Sequence, residues 1–254
     1  RQMCIRDRGI IWGLMGLGVF LTFKLLNFAD LSVDGSFATG GAVTAVMLIN
    51  GCPVWATIIV AILAGLAAGL VTGLLHTLLG IPDILAGILT QIALYSINLN
   101  IMGKSNLPIS YRNYTLVVSA SNINMAILVG LGICAVVIAA MYWYFGTEQG
   151  STIRSTGSNP AMSKAQGINI NFTKVIALAL SNGLVALSGS LFAQYQGFAD
   201  INMGRGAIVI GLAAVIIGEV LGEAIFRKHM NYIIKIVFVI VGGILYYIAM
   251  GIVL

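Results

Sequence analysis

The sequence predicts an all-α integral membrane protein with about eight transmembrane helices, two of them short or broken and forming an inverted repeat. Three observations carry this prediction. Hydrophobic residues make up 59% of the 254 residues and charged residues 8%, and mean hydropathy is +1.01; soluble domains carry roughly 45–50% apolar and about 25% charged residues. The apolar residues fall in runs close to the roughly 20 residues that a helix needs to cross hydrocarbon. Two polar, acidic turns each precede a shortened apolar run, as in discontinuous membrane helices.

In chain order, residues 1–8 (RQMCIRDR) are polar and basic, unlike the apolar run after them. They read as a non-native leader and are set aside, leaving 9–254 as one transmembrane domain. That domain ends inside an apolar run, so the chain reads as a fragment at both ends. Spans are expected at 9–26, 37–49, 55–79, 84–101, 125–145, 172–192, 208–221 and 232–253. The pieces 37–49 and 208–221 are too short for a full crossing. Phe28 to Ser36 (FADLSVDGS) aligns with Phe198 to Gly206 (FADINMGRG), sharing Phe, Ala and Asp. With five spans between them, the two copies face opposite sides of the membrane. Small residues, Gly65, Ala68 and Gly69, Gly130 and Gly132, Gly242 and Gly243, mark close helix packing.

Lys and Arg set the orientation. Arg154, Lys164 and Lys174 surround the central polar loop, and Arg227 and Lys228 lie two spans later, so both connections belong inside. Counting back places 104–124 outside, 80–83 inside and the start of the chain outside; Lys104 and Arg112 run against this bias. The formal net charge of +5 comes mostly from such loops and calls for no nucleic acid.

Catalytic motifs are missing. No GxxxxGK[ST] loop cradles phosphate, His76 and His229 form no HExxH pair, and no GxSxG elbow is present. Cys4, Cys52 and Cys134 are scattered, with no CxxC pair. The chain is therefore expected to be no enzyme and to hold no cofactor or metal. Polar residues at membrane depth usually face a bundle interior or a cavity, which makes Asp30, Ser32, Asp34, Ser36, Thr90, Gln91, Ser181, Asn182, Asp200 and Asn202 candidates for a solute path. The plainer reading of Asp34 and Asp200 is that they cap the half-helices next to them. Glu219 is expected to pair with a base or snorkel, and His76 to be structural.

The stretch 147–171 is the long polar passage past the midpoint. Within it Asn159 reads as an N-cap, Pro160 as the first residue of a short helix over 160–166, and Gly167 as its stop. By itself such a stretch is either a solvated loop or a docking handle on the cytoplasmic face.

Three strings, Asn27 to Ala42 (NFADLSVDGSFATGGA), Gly157 to Asn169 (GSNPAMSKAQGIN) and Gly211 to Glu219 (GLAAVIIGE), resemble the permease subunits of ABC importers of the branched-chain amino-acid and ribose type. Within that type the chain is similar to permeases that work with lipoprotein-type solute-binding proteins, some linked to aromatic amino-acid uptake. The resemblance implies a multi-pass permease of the bacterial plasma (inner) membrane, paired with a second copy. It also implies two cytoplasmic ATPase subunits that hold ATP and Mg, and an extracytoplasmic solute-binding protein. Residues 157–167 correspond to the family's coupling helix, with Ser158, Pro160, Ala161, Ala165 and Gly167 shaping its contact with the ATPase. The function implied is import of a small polar solute, an amino acid or related metabolite. The alternatives are an ion-gradient-driven secondary transporter using Asp30, Asp34 or Asp200 as its coupling carboxylate, and a membrane scaffold without solute flux.

Overall fold

Hydrocarbon leaves backbone amides no partners but one another, and the chain is helical almost throughout. The computed structural model describes the backbone of residues 2–109, 123–226 and 232–253, and the side chains of 9–109, 128–225 and 233–252. The expectations for Arg112, Arg227, Lys228 and His229 lie outside the described residues. Helix α1 (Gln2–Val19) passes into a π-helical turn, Phe20–Leu25, and is followed by α2 (Val33–Ile49), α3 (Val54–Leu79) and α4 (Asp83–Met102). Next come strand β1 (Asn106–Pro108), α5 (Ile123–Gly146), α6 (Glu148–Ser158), α7 (Pro160–Ala165) and α8 (Ile170–Gln196). Strand β2 (Phe198–Asp200), α9 (Ala207–Phe226) and α10 (Tyr232–Val253) complete the order.

Among the described residues, six helices are long and apolar enough to cross a membrane: Val54–Leu79, Asp83–Met102, Leu128–Gly146, Ile170–Gln196, Ala207–Ile225 and Ile233–Ile252. Gly9–Leu25 and Val33–Ile49 are shorter apolar helices. The first expected short piece is thus observed, starting at Val33 rather than Phe37. The second is not short. Helix α9 continues past Leu221 to Phe226, and Glu219, well inside it, meets Lys24 Nζ through its Oε1 at 2.8 Å. That pair is the partner expected for Glu219.

Helix α8 is the hub, packing against α3, α2 and α1. Its sequence explains why. Ser181, Asn182, Gly183, Ser188, Gly189 and Ser190 are small or polar and unsuited to lipid, and all are buried. Gly65 and Gly69 of α3 abut the backbone carbonyls of Asn182 and Leu178, so a side chain at either position would force the helices apart. Gly242 lies as closely against α9, while Gly132 faces open space, so the small-residue expectation holds for α3 and α10 but not for that part of α5. Ser181 Oγ donates to Gly18 O at 2.8 Å and Ser188 Oγ to Ile11 O at 2.6 Å, tying α8 to α1.

The Phe ends of the two polar turns lie toward opposite ends of this bundle, while their later halves meet, with Gly204 and Gly206 against Asp34. Phe28 packs edge-on against His76, near the end of α3. Phe198–Asp200 instead pairs antiparallel with Asn106–Pro108, beyond the far end of α4. The first turn is set by Asn27, whose φ of 54° is left-handed, a region that Asn tolerates better than most residues. His76 is structural as expected: Nδ1 lies 2.9 Å from Ile81 O and Lys174 Nζ lies 2.9 Å from Nε2.

Candidate functional site

Two places hold the polar residues singled out by the sequence. The first is the connection between α5 and α8. Helix α6 is a full 11-residue helix where the sequence predicts only loop. Gly150, Ile153 and Thr156 form its buried face, and Arg154 Nη2 donates to Phe145 O at 3.0 Å, satisfying a carbonyl at the end of α5. Gly157 abuts Leu25 O at the end of the π-helical turn, a contact closed to any larger residue. Helix α7 comes next, as expected. Asn159 Oδ1 accepts the Met162 N–H at 3.1 Å, Pro160 occupies the first turn, and Gly167 stops the helix with φ of 81°. Only Ser163 is buried here; Ser158, Pro160, Ala161, Met162, Lys164, Ala165 and Gly167 are exposed. Exposed Met162 and Phe172 add an apolar surface that the sequence pattern does not bring out.

The second place is the bundle interior. Asp30, Ser32, Ser36 and Asn182 form one closed, fully buried knot. Asn182 Nδ2 donates to Asp30 Oδ2 at 2.8 Å, and its Oδ1 accepts Ser36 Oγ–H at 2.6 Å. Asp30 Oδ1 accepts the Ser32 N–H at 2.9 Å and the Ser32 hydroxyl. These side chains satisfy one another and do not line an open passage. Thr90 and Ser181 are likewise spent on joining helices, Thr90 with Thr72 Oγ1 at 3.0 Å.

Asp34 acts across the molecule. The expectation that it caps its own half-helix is corrected by the geometry: its carboxylate accepts the N–H of Gly206 at 3.1 Å and of Ile208 at 2.9 Å, at the start of α9. It sits inside the first turn of α2, and packing points it at the next free helix N-terminus, where a carboxylate is favoured. Asp200 also does not cap a helix directly. Its Oδ1 accepts the Asn202 N–H at 2.7 Å, the same two-residue turn that Asp30 makes with Ser32.

Beside Asp34 lies a cavity of about 290 Å³, lined by Asp34, Gly35 and Ala38 of α2, Gln91, Ile92, Tyr95 and Asn98 of α4, and Ile201 and Arg205 before α9. Of the sequence candidates, only Asp34 and Gln91 reach it. Tyr95, Asn98 and Arg205 are not among them, although Gln91, Tyr95 and Asn98 stand at i, i+4 and i+7, one face of a helix. No group of three or more His, Cys, Asp or Glu able to hold a metal occurs among the described residues.

Comparison with known proteins adds four findings. A family model described as branched-chain amino acid transport system / permease component matches residues 7–253. A tyrosine transport system permease protein of Clostridioides difficile is 43% identical over 95% of this chain and 79% of its own length. An uncharacterized protein of Rickettsia prowazekii is 33% identical over 91% of this chain and 80% of its own, and an autoinducer 2 import system permease protein of Yersinia pseudotuberculosis is 28% identical over 82% of this chain and 58% of its own.

Proposed function

The chain belongs to the permease family of branched-chain amino acid transport systems, and from that premise we propose that α7 is where a cytoplasmic ATPase docks and drives solute import. The protein is a multi-pass ABC importer permease of the bacterial inner membrane, passing a small polar solute. The observation that carries the docking reading is the form of α7: capped at both ends, seated through Ser163, and presenting Pro160, Ala161, Met162 and Ala165 outward. Small side chains at 161 and 165 permit close approach, and Ser158 and Gly167 bound the segment. ATP and Mg belong to two ATPase subunits, with a second permease copy and an extracytoplasmic binding protein completing the importer.

Within the membrane we infer an inverted repeat whose units meet where Asp34 caps α9. The shared Phe-Ala-Asp, the matching turns at Asp30 and Asp200, and the placement of Phe28 and Phe198 toward opposite ends of the bundle support it. Making and breaking the Asp34 contacts as the units rock gives alternating access, with Asp34 and Gln91 on the path. The tyrosine transport relative supports an aromatic amino acid as solute.

The test is co-purification of this chain with its ATPase, scored by ATP hydrolysis. Ala165→Glu places a charge in the contact and is expected to abolish the complex while the thermal midpoint of the permease stays within a few degrees, about the scale of a 1 kcal/mol change. Retained association sinks the docking reading. Uptake that persists without any ATPase and collapses with the proton gradient would replace it by the gradient-driven transporter.

A further inference from the structure

Asn98 is a buried side chain whose hydrogen bonds are not accounted for. It is fully buried on α4, and neither its Oδ1 nor its Nδ2 has a partner among the described residues. An unpaired buried polar group costs about 1–3 kcal/mol, and native proteins hold few of them. Another polar residue, earlier on α4, shows that this helix can satisfy its polar groups: Thr90 bonds both Thr72 Oγ1 and Ala86 O, each at 3.0 Å. No described group satisfies the amide, so its presence is not explained by folding. It lines the cavity that also takes Asp34, Gln91, Tyr95 and Arg205.

We propose that Asn98 is a solute-specificity residue of the membrane path, its carboxamide completing its hydrogen bonds with the solute as it passes the cavity. A primary amide offers two donors and an acceptor oxygen, and the cavity adds a carboxylate at Asp34 and a guanidinium at Arg205. Both signs of charge together with neutral amides match a small zwitterion, an α-amino acid. The permease thus discriminates among solutes itself, in addition to any binding protein. This rests on the importer reading above.

The experiment uses the complete importer in proteoliposomes, with ATP inside and labelled L-tyrosine, L-phenylalanine or L-leucine outside. Asn98→Leu is expected to lower L-tyrosine uptake about tenfold or more, with a thermal midpoint equal to or above that of the natural protein. Asn98→Asp keeps the shape but removes the donors, and covers the case in which the leucine variant does not fold. In either variant the three uptake rates are expected to fall unequally, by roughly threefold or more in their ratios; a merely loosened helix lowers them together. Unchanged rates and ratios, or an equal fall that accompanies a lowered midpoint, overturn the assignment. A natural importer that moves none of the three amino acids overturns the amino-acid reading itself, and this inference with it.

Discussion

Asn182 uses both ends of its carboxamide on groups about 150 positions away, donating to Asp30 and accepting from Ser36. The knot is fully buried, so water does not stand in for either contact. Asn182→Ala is therefore expected to lower stability by about 2 kcal/mol, the value of a hydrogen bond to a carboxylate, read as a drop in the thermal midpoint in detergent. Ser36→Ala, which leaves the Asp30 contact intact, is expected to cost less than half as much, and an equal cost would show that the knot does not centre on Asn182. These residues are legible in the sequence as polar groups in apolar runs. Their mutual pairing is not, since a list of polar positions does not distinguish residues facing a passage from residues facing one another. Tyr95, Asn98 and Arg205 escape for a related reason: each is unremarkable as a single polar residue, and two of them join Gln91 in a stripe that only helical spacing reveals.

At the scale of elements, the capping residues of α7 identify it from sequence, because N-caps and C-terminal glycines act locally. Helix α6 escapes because its buried face, Gly150, Ile153 and Thr156, contains one apolar residue and so leaves little periodic signal. Its role comes from packing. Gly157 brings α6 against Leu25, at the end of the π-helical turn that leads into residues 26–32. Displacement of α7 by a moving ATPase would reach the Asp30 knot along this route. Gly157→Val forces these backbones apart at about 1–3 kcal/mol, the usual cost of overpacking. The expected outcome is an importer that still binds its ATPase, unlike Ala165→Glu, but whose ATP hydrolysis is no longer coupled to uptake. Normal coupling in a folded Gly157→Val protein would remove α6 from the route.

For the whole molecule, Lys24, His76, Asp83 and Lys174 gather at the end of the bundle that carries α6 and α7, and the β1–β2 ribbon lies at the other. The bias of basic residues makes the cytoplasmic side the expectation for the first end. With Cys4, Cys52 and Cys134 replaced by Ser, a cysteine at Ala165 is expected to react with a membrane-impermeant maleimide only in inverted vesicles, and one at Asn106 only in intact cells; the reverse pattern would invert the topology. The membrane class, the run of helical spans, the side expected for the central loop and the caps of α7 are all written in the chain itself, because hydropathy, loop charge and capping are read within a few residues. It took the packed bundle to show that Asp34 caps α9 and not its own helix, that Asp30 is closed into a knot, and that Asn98 lines a cavity. The Asp34 contact joins residues 172 positions apart, and contacts of that range depend on how helices pack, which no local pattern encodes.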